Sequence, residues 1–593
     1  MVSYVPAVAL GLILNLLDAL SYGLIIFPVT EPVFSTFGPD GLSMFLLSTA
    51  VAQLVYAAGG SAFRGANGSM MIEIMPFLHS MARTVMAEVA SASEGGVADP
   101  RAIVATTMAA YVFSSIVTGI GFLLLGWFGL GALVGFFPRH ILVGCIGGIG
   151  CFLVRTAVEA TTQLPLSLEW AALSALLEPH ILALWGSSLV VALVLRVLSR
   201  FTSHPLFVPS FFLAVPALFY AICLGVLGLS VSDLRGAGWL FPLPSADIPF
   251  YDFYMQFDFS RTHWSAVLKT LPTAIGLTFF GILHVPLMVP ALAASTKADS
   301  VDMDGELLGH GVSNLLSGMF GSVQNYMVYS NSILFIRSGG DSRLAGAMLG
   351  FATLAVFFAG AQVIGFVPVV VVGALIFHLG FELMVEALVD TVGAVTRIEY
   401  ITIVLIVVAM AALGFLEGIF LGLLLACVFF VISYAQRSAI RASFTCESVR
   451  STVRRVYRQR RFLSRVGSSI HAVQLQGFLF FGTIVGVEDH ILELVTQPHQ
   501  QQVRFLVVDL ALVTGMDLSA AEVFARLKRV LRSRDVYFVL CGIPFGSPMW
   551  QQLVANGVWP DHSHIKLFGT LNHGLEWCEN TLIQALYTPH LPA

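Results

Sequence analysis

The chain has 593 residues, 57% of them hydrophobic and 11% charged, with a mean hydropathy of +0.85. Soluble globular proteins carry roughly a quarter charged residues, so this composition excludes a wholly soluble fold. A net charge of −5 implies no nucleic-acid partner.

Apolar runs long enough to cross a bilayer recur as far as about Gln436. The first, 5–27, has no basic flank and contains Asp18, so it reads as the first helix of a bundle rather than a cleavable leader. Further spans are expected near 42–60, 104–127, 138–158, 180–197, 207–229 and 266–292, then 304–322, 342–362, 364–384, 398–413 and 415–436. Two segments are shorter and broken: 69–82, after Gly65-Ala66-Asn67-Gly68, and 328–337, after Gln324-Asn325-Tyr326. They stand third and tenth of fourteen, matching places if the bundle is two halves of seven. Interrupted segments at matching places point to an inverted-repeat transporter site. Each half-helix start carries about half a positive charge, so two such ends favour a negative group between them. The plainer alternative is a pair of loops with short amphipathic helices.

After the last span the chain is arginine-rich: Arg437, Arg441, Arg450, Arg454, Arg455, Arg458, Arg460, Arg461 and Arg465 stand against one acid, Glu447. By the positive-inside rule this stretch is cytoplasmic, and an even number of spans puts the N-terminus there too. Its arginines read as topology signals that touch lipid headgroups, with an anionic-lipid or nucleotide site as the less favoured alternative. From about 468 to 593 strand-like and helix-like patterns alternate, as in a small α/β domain. Ile470–Leu475 and Phe478–Phe481 read as a hairpin-like pair around Gly477. Arg504–Leu510 and Val536–Cys541 read as buried strands, and Ser519–Val530 as a helix. The expected domains are therefore 1–436 in the membrane, a basic linker 437–467, and a soluble domain 468–593.

The seven cysteines are isolated; Cys145, Cys151, Cys223 and Cys427 lie in apolar runs, and no metal-ligand or disulfide spacing occurs. There is no P-loop, paired metal motif or nucleophile elbow. The residues thus point to no enzyme, cofactor or metal.

The order of motifs resembles the SulP (sulfate permease) family over essentially the whole chain. Phe136-Phe137-Pro138-Arg139-His140-Ile141-Leu142-Val143-Gly144 looks like the family's proline signature opening the fifth helix. Asp304-Gly305-Glu306-Leu307-Leu308-Gly309-His310-Gly311-Val312-Ser313-Asn314-Leu315 is similar to the family stretch leading, through Ser317–Ser322, to the tenth helix. Phe505–Leu510 followed by Thr514–Ala521 looks like a STAS domain. The resemblance implies a polytopic α-helical membrane fold: fourteen segments as a 7+7 inverted repeat with half-helices 3 and 10, plus a cytoplasmic STAS domain. It also implies a homodimer, secondary active transport by alternating access, and a small charged solute, most often an anion such as sulfate or bicarbonate.

The family's substrate pocket is built from helices one, three, eight and ten, and the matching positions here depart from its pattern. Leu17-Asp18-Ala19-Leu20-Ser21-Tyr22 carries Asp18 where the family has a neutral Gln; Asn15, Asp18 and Tyr22 share one face. Glu73 lies in the third segment, His284 takes the place of a frequent acid in the eighth, and Asn331 follows Tyr329-Ser330 in the tenth. A carboxylate at membrane depth costs a few kcal/mol and normally faces a cavity or partner. Asp18 beside two half-helix starts would occupy the anion position and favour a cationic solute. That departure resembles a fungal vacuolar branch of the family, with transport of a basic amino acid as the implied activity.

Other roles stay open. Asp18, Glu73 or His284 would carry the coupling proton of an anion–proton symporter. Alternatively Asp18 is a neutral core acid and Glu73 pairs with Arg64. The charged residues Arg155, Glu159, Glu382 and Glu386 read as interfacial or structural. Ser519 sits where related STAS domains carry a phosphorylatable residue, although Asp517 and Ser519 also suit helix capping. A STAS scaffold without transport is the remote alternative. Nothing in the sequence is an address, so the plasma membrane and the vacuole or another acidic organelle both remain open.

Overall fold

The computed structural model describes residues 4–92, 99–131, 139–164, 166, 174–202, 207–240, 251–296, 301–359, 366–496, 502–560 and 564–587. The chain divides into two compact units, Met1–Leu424 and Leu425–Ala593.

In the first unit a helix stands at the place of each expected segment. The first seven are α1 (Val5–Tyr22), α2 (Gly38–Val55), α3 (Met75–Ala92), α4 (Pro100–Trp127), α5 (Arg139–Thr162), α6 (Pro179–Ser199) and α7 (Phe207–Tyr220). Then follow α8 (Leu271–Thr296), α9 (Met303–Met319), α10 (Tyr329–Phe335), α11 (Arg343–Ala359), α12 (Val369–Leu388), α13 (Arg397–Ala412) and α14 (Phe415–Ala435), the last running into the second unit. Eight helices among the described residues are long and apolar enough to cross a membrane, or nine if the pair Tyr329–Gly340 and Arg343–Ala359, bent by 115°, forms one span. Local signals set several starts: Asp99 caps α4 ahead of Pro100, Asp302 caps α9, and Thr396 with Glu399 forms a capping box on α13. Of the proline signature, residues 136–138 lie outside the described residues; Arg139 begins α5.

One expected boundary is corrected. The third segment does not stop near 82 but continues as helix to Ala92. Arg83 and Glu88 lower its hydropathy, yet Met81, Val85 and Val89 recur at every fourth position and are all buried.

The helices pack in two groups. One joins α1–α4 with α8–α11, and the other joins α5–α7 with α12 and α13 through α5, with Gly418 of α14 packed on Met410 of α13; α1 also touches α7 and α12 across the divide. Small residues allow the close approaches. On α4, Gly119 faces the α9 backbone at Gly311 and Leu315, and on α5, Gly150 faces Gly380 of α12.

Between α2 and α3 the chain is extended at β1 (Gly68–Ser69), and between α9 and α10 at β2 (Tyr326–Met327). These two strands pair antiparallel, Gly68 with Met327 and Ser69 with Tyr326. The pairing ties the starts of α3 and α10 to one short sheet.

The second unit is a five-stranded sheet in the order β3-β4-β5-β6-β7, with β3 antiparallel to β4 and the others parallel. Its strands are β3 (Ile440–Thr445), β4 (Ile470–Leu479), β5 (Phe505–Met516), β6 (Tyr537–Cys541) and β7 (Ile565–Phe568). Its helices are α15 (Tyr457–Val466), α16 (Phe481–Thr496), α17 (Leu518–Ser533), α18 (Pro548–Ala555) and α19 (Leu571–Tyr587). Alternation along β5 sends Leu506, Val508 and Leu510 into the core with Phe524 and Leu527 of α17, and Phe505 and Val507 to the opposite face with Leu575 and Cys578 of α19.

Two expectations change here. The stretch 437–467, read as a linker, supplies edge strand β3 and helix α15, and Arg455 and Ser451 both bind the buried Glu579 carboxylate of α19. The hairpin around Gly477 is a single strand: Gly477, at φ +77°, marks a bulge in β4, and Phe481 already opens α16. Both the bulge and a hairpin place glycine between apolar runs, and only the pairing partners distinguish them.

Candidate functional site

Extended backbone at membrane depth needs partners for its amides and carbonyls. Buried side chains supply them around β1 and β2. Gln53 of α2 donates to the Ala66 carbonyl and accepts from the Gly68 amide. The Asn67 carbonyl accepts from the Val328 amide at 3.0 Å, and the Ser332 hydroxyl accepts from the Asn67 amide at 2.9 Å. His310 is fully buried; its Nε2 accepts from the Met327 amide at 3.1 Å while its Nδ1 faces the Glu306 carbonyl at 2.8 Å, which fixes the tautomer. Asn314 brackets Asn325, accepting from its amide and donating to its carbonyl. Glu306 accepts from Ser61 and from the Ala62 amide where α2 ends. Gln53, His310, Asn314 and Asn325 were not singled out from the sequence. The available signal was the polar row Glu306, His310, Asn314 and Ser317 at helical spacing along α9.

On this frame the α1 stripe divides. Asn15 is buried and structural, donating to Thr353 of α11 at 3.1 Å and accepting from Asn67 at 3.4 Å. One turn on, half-buried Asp18 accepts a 2.7 Å hydrogen bond from the side-chain amide of Asn331 on α10. Tyr22, a further turn along, packs edge-on against Phe45 at 5.9 Å, and its hydroxyl lies in the field of the Asp18, Glu73 and Glu382 carboxylates.

Glu73 sits in the 3₁₀ turn Ile72–Ile74 that leads into α3. Among the described residues no ion pair joins it to Arg64, so that expected pairing is absent. Instead it acts on His284 of α8, Tyr326 of β2 and Glu386 of α12. His284 is 8% exposed, lies 6.2 Å from the Phe280 ring in stacked geometry, and its Nδ1 has no hydrogen-bond partner. The Tyr329 hydroxyl is 2.8 Å from that of Ser295 on α8, and Ser330 is exposed.

The structure therefore brings Asp18, Tyr22 and Asn331 together directly and ties Glu73 and His284 to them electrostatically. Tyr329 bonds to α8 instead. Glu382 and Glu386, read as interfacial or structural, are exposed, and Glu382 lies 3.9 Å from His378 on its own helix; their charges still reach Tyr22 and Glu73. Arg155 does pair with Glu159, at 2.8 Å.

A cavity of about 830 Å³ lies along α3. Pro76, His79 and Arg83 of α3 form one wall, with Arg155 of α5, Thr273 of α8 and Glu417 of α14 around it. Among the described residues no group of three His, Cys, Asp or Glu is placed to hold a metal ion.

In the second unit Asp517 caps α17, accepting from the Ala520 amide at 2.7 Å and also from the Phe481 amide. Ser519 is exposed at the second helical position and caps nothing, which corrects half of the capping expectation.

A family profile described as the sulfate permease family matches residues 1–406, and one described as the STAS domain matches residues 463–546. The chain is 43% identical over 588 residues to the vacuolar basic amino acid transporter VSB1 of Saccharomyces cerevisiae. That match covers 98% of this chain and 56% of the yeast protein, so the chain spans little more than half its length. It is 23% identical to the putative sulfate transporter YbaR of Bacillus subtilis, over 73% of this chain and 79% of that protein. Among solved structures, the murine solute carrier 26 member A9 anion transporter in the inward-facing state superposes with a TM-score of 0.70 at 15% identity. This covers 98% of this chain and 92% of that one.

Proposed function

The chain belongs to the sulfate permease family of membrane transporters, and from that premise we propose that it moves a cationic solute of the basic amino acid class, coupled to protons. The observation that carries this reading is the convergence of carboxylates. Asp18, Glu73 and Glu382 all bear on Tyr22, and among the described residues no lysine or arginine pairs with Asp18 or Glu73. An ionised carboxylate where α3 and α10 begin repels a free anion and attracts a cation. In this reading the solute's own carboxylate faces the amide ends of α3 and α10, and its cationic group faces Asp18. The similarity to a vacuolar basic amino acid transporter supports the same class of solute and an acidic organelle membrane.

Glu73 and His284 are the proton-coupling candidates besides Asp18, with Tyr329, Ser330 and Asn331 lining the α10 side. Solute reaches the site through the cavity beside α3. The two helix groups move relative to one another in alternating access, arranged as a 7+7 inverted repeat in a homodimer with both termini cytoplasmic. Phosphorylation of exposed Ser519 would regulate the STAS domain.

A second reading is sulfate or bicarbonate transport coupled to protons. The joint origin of α3 and α10 from the β1–β2 pair favours it, since helix starts attract anions. Purified protein in liposomes distinguishes the two. Labelled arginine uptake driven by a pH gradient, and lost in Asp18→Asn, is expected. Sulfate uptake that survives the substitution would return the protein to anion transport.

A further inference from the structure

One end of the second unit combines bare arginines with exposed aromatic residues. The last turns of α14, from Leu425 to Ala435, belong to this unit. Tyr434 lies 5.6 Å from the Phe480 ring, and Gly482 packs against Ala435, so the β4–α16 turn is built against the end of α14. Beside it is a cavity of about 380 Å³ walled by Arg437, Arg441, Gln476, Phe478, Thr483 and Leu512, with no carboxylate in its lining. The Arg437 guanidinium lies 5.6 Å over the Tyr434 ring. The same end exposes Phe478, Phe481, Val485, Leu512 and Leu518, with Phe481 59% and Leu518 61% accessible. Asp517, the acid at this end, is spent on the Ala520 and Phe481 amides.

We propose that this end of the domain binds the headgroup of an anionic phospholipid. The 21 residues of α14 rise about 30 Å, so where this helix crosses the bilayer Arg437, two residues past its end, falls at headgroup depth. Two guanidinium groups without a carboxylate suit a phosphodiester, and the Gln476 side-chain amide, which gives one N–H to the Ser438 carbonyl, has a second to add. The exposed phenylalanines and leucines match the boundary between headgroups and acyl chains, whereas a water-facing domain rarely leaves such a patch bare. The site is distinct from the general attraction of the arginine-rich stretch because it is a cavity with named walls. Arg454, Arg458 and Arg461, in the same stretch, do not line it.

The test titrates the full-length protein in detergent with short-chain phosphatidylserine, phosphatidylcholine or inorganic phosphate, counting bound molecules by native mass spectrometry. Phosphatidylserine is expected to bind most tightly. Arg437→Glu with Arg441→Glu should weaken it roughly thirtyfold, about fivefold for each arginine before reversal is counted. Arg437→Lys with Arg441→Lys should retain most of it, and Arg454→Glu with Arg458→Glu should leave it unchanged. If the charge-reversed protein does not fold, Arg437→Gln with Arg441→Gln carries the same comparison. Equal binding of phosphatidylcholine, equal loss in the Arg454/Arg458 variant, or free phosphate binding as tightly as the lipid would each overturn the proposal.

Discussion

The side-chain amide of Asn331 donates to the carboxylate of Asp18 at 2.7 Å, joining the first and tenth helices across 313 residues of sequence. The bond holds the acid at the start of α10.

Removing the donor tests that role. Asn331→Ala should raise the KM for the transported cation about tenfold, the scale of one hydrogen bond to a charged group, with little change in the amount of folded protein. The check is a concentration series of arginine uptake in liposomes. An unchanged KM would make Asn331 a packing residue.

The α12 carboxylates give a second test. Glu382→Gln with Glu386→Gln removes two negative charges from the field around Tyr22 and Glu73. Uptake of a cation should slow severalfold at low ionic strength and much less at high salt, since exposed charges are screened. Comparing initial rates at two salt concentrations measures this. A loss that salt does not alter would argue for a structural role.

His310 should matter to folding more than to chemistry. His310→Ala leaves the Met327 amide without its acceptor in a fully buried place. That costs about 1–3 kcal/mol, with a further penalty for the vacated volume. Thermal unfolding followed by size-exclusion fluorescence should show a midpoint several degrees lower. A variant with native stability and no transport would move His310 into the site.

In the second unit three buried thiols make stability depend on pH. Burial pushes Cys446 and Cys541 up to about 12 and raises Cys578 well above its ordinary value. Above pH ~8.5 the unfolded chain, with ionised thiols, binds fewer protons than the folded one, so stability falls as pH rises toward 12. The loss reaches about 2 kcal/mol per thiol by pH 10. Denaturant midpoints at pH 8 and pH 10, read from Trp577 beside Phe505, should separate, and replacing the three cysteines with alanine should close the gap. Equal midpoints in the native protein would sink the idea.

Sequence alone determined the membrane class, the order of the helices, the two broken segments and the α/β character of the C-terminal region. These are local properties: hydropathy over a span, residue period, and glycine or proline between elements. It also drew attention to Asp18, His284 and Asn331 on their helices, because a polar residue in an apolar run is conspicuous wherever it lies, but it put Glu73 inside the third helix when Glu73 lies in the turn before it. It failed where a residue's meaning depends on a distant partner. Arg437–Gly467 read as a linker because its strand is short and basic, and becomes an edge only when β4 lies beside it. Gln53 was unremarkable, and His310 and Asn314 stood only as members of a family-like stretch, until the extended strands needed donors and acceptors at membrane depth. Arg64 stood nine residues from Glu73 and invited a pair that the fold does not form. Only the tertiary structure decided that Asp18 meets Asn331 and that Glu382 shares a field with Glu73, since those distances are set by how α1, α3, α10 and α12 cross.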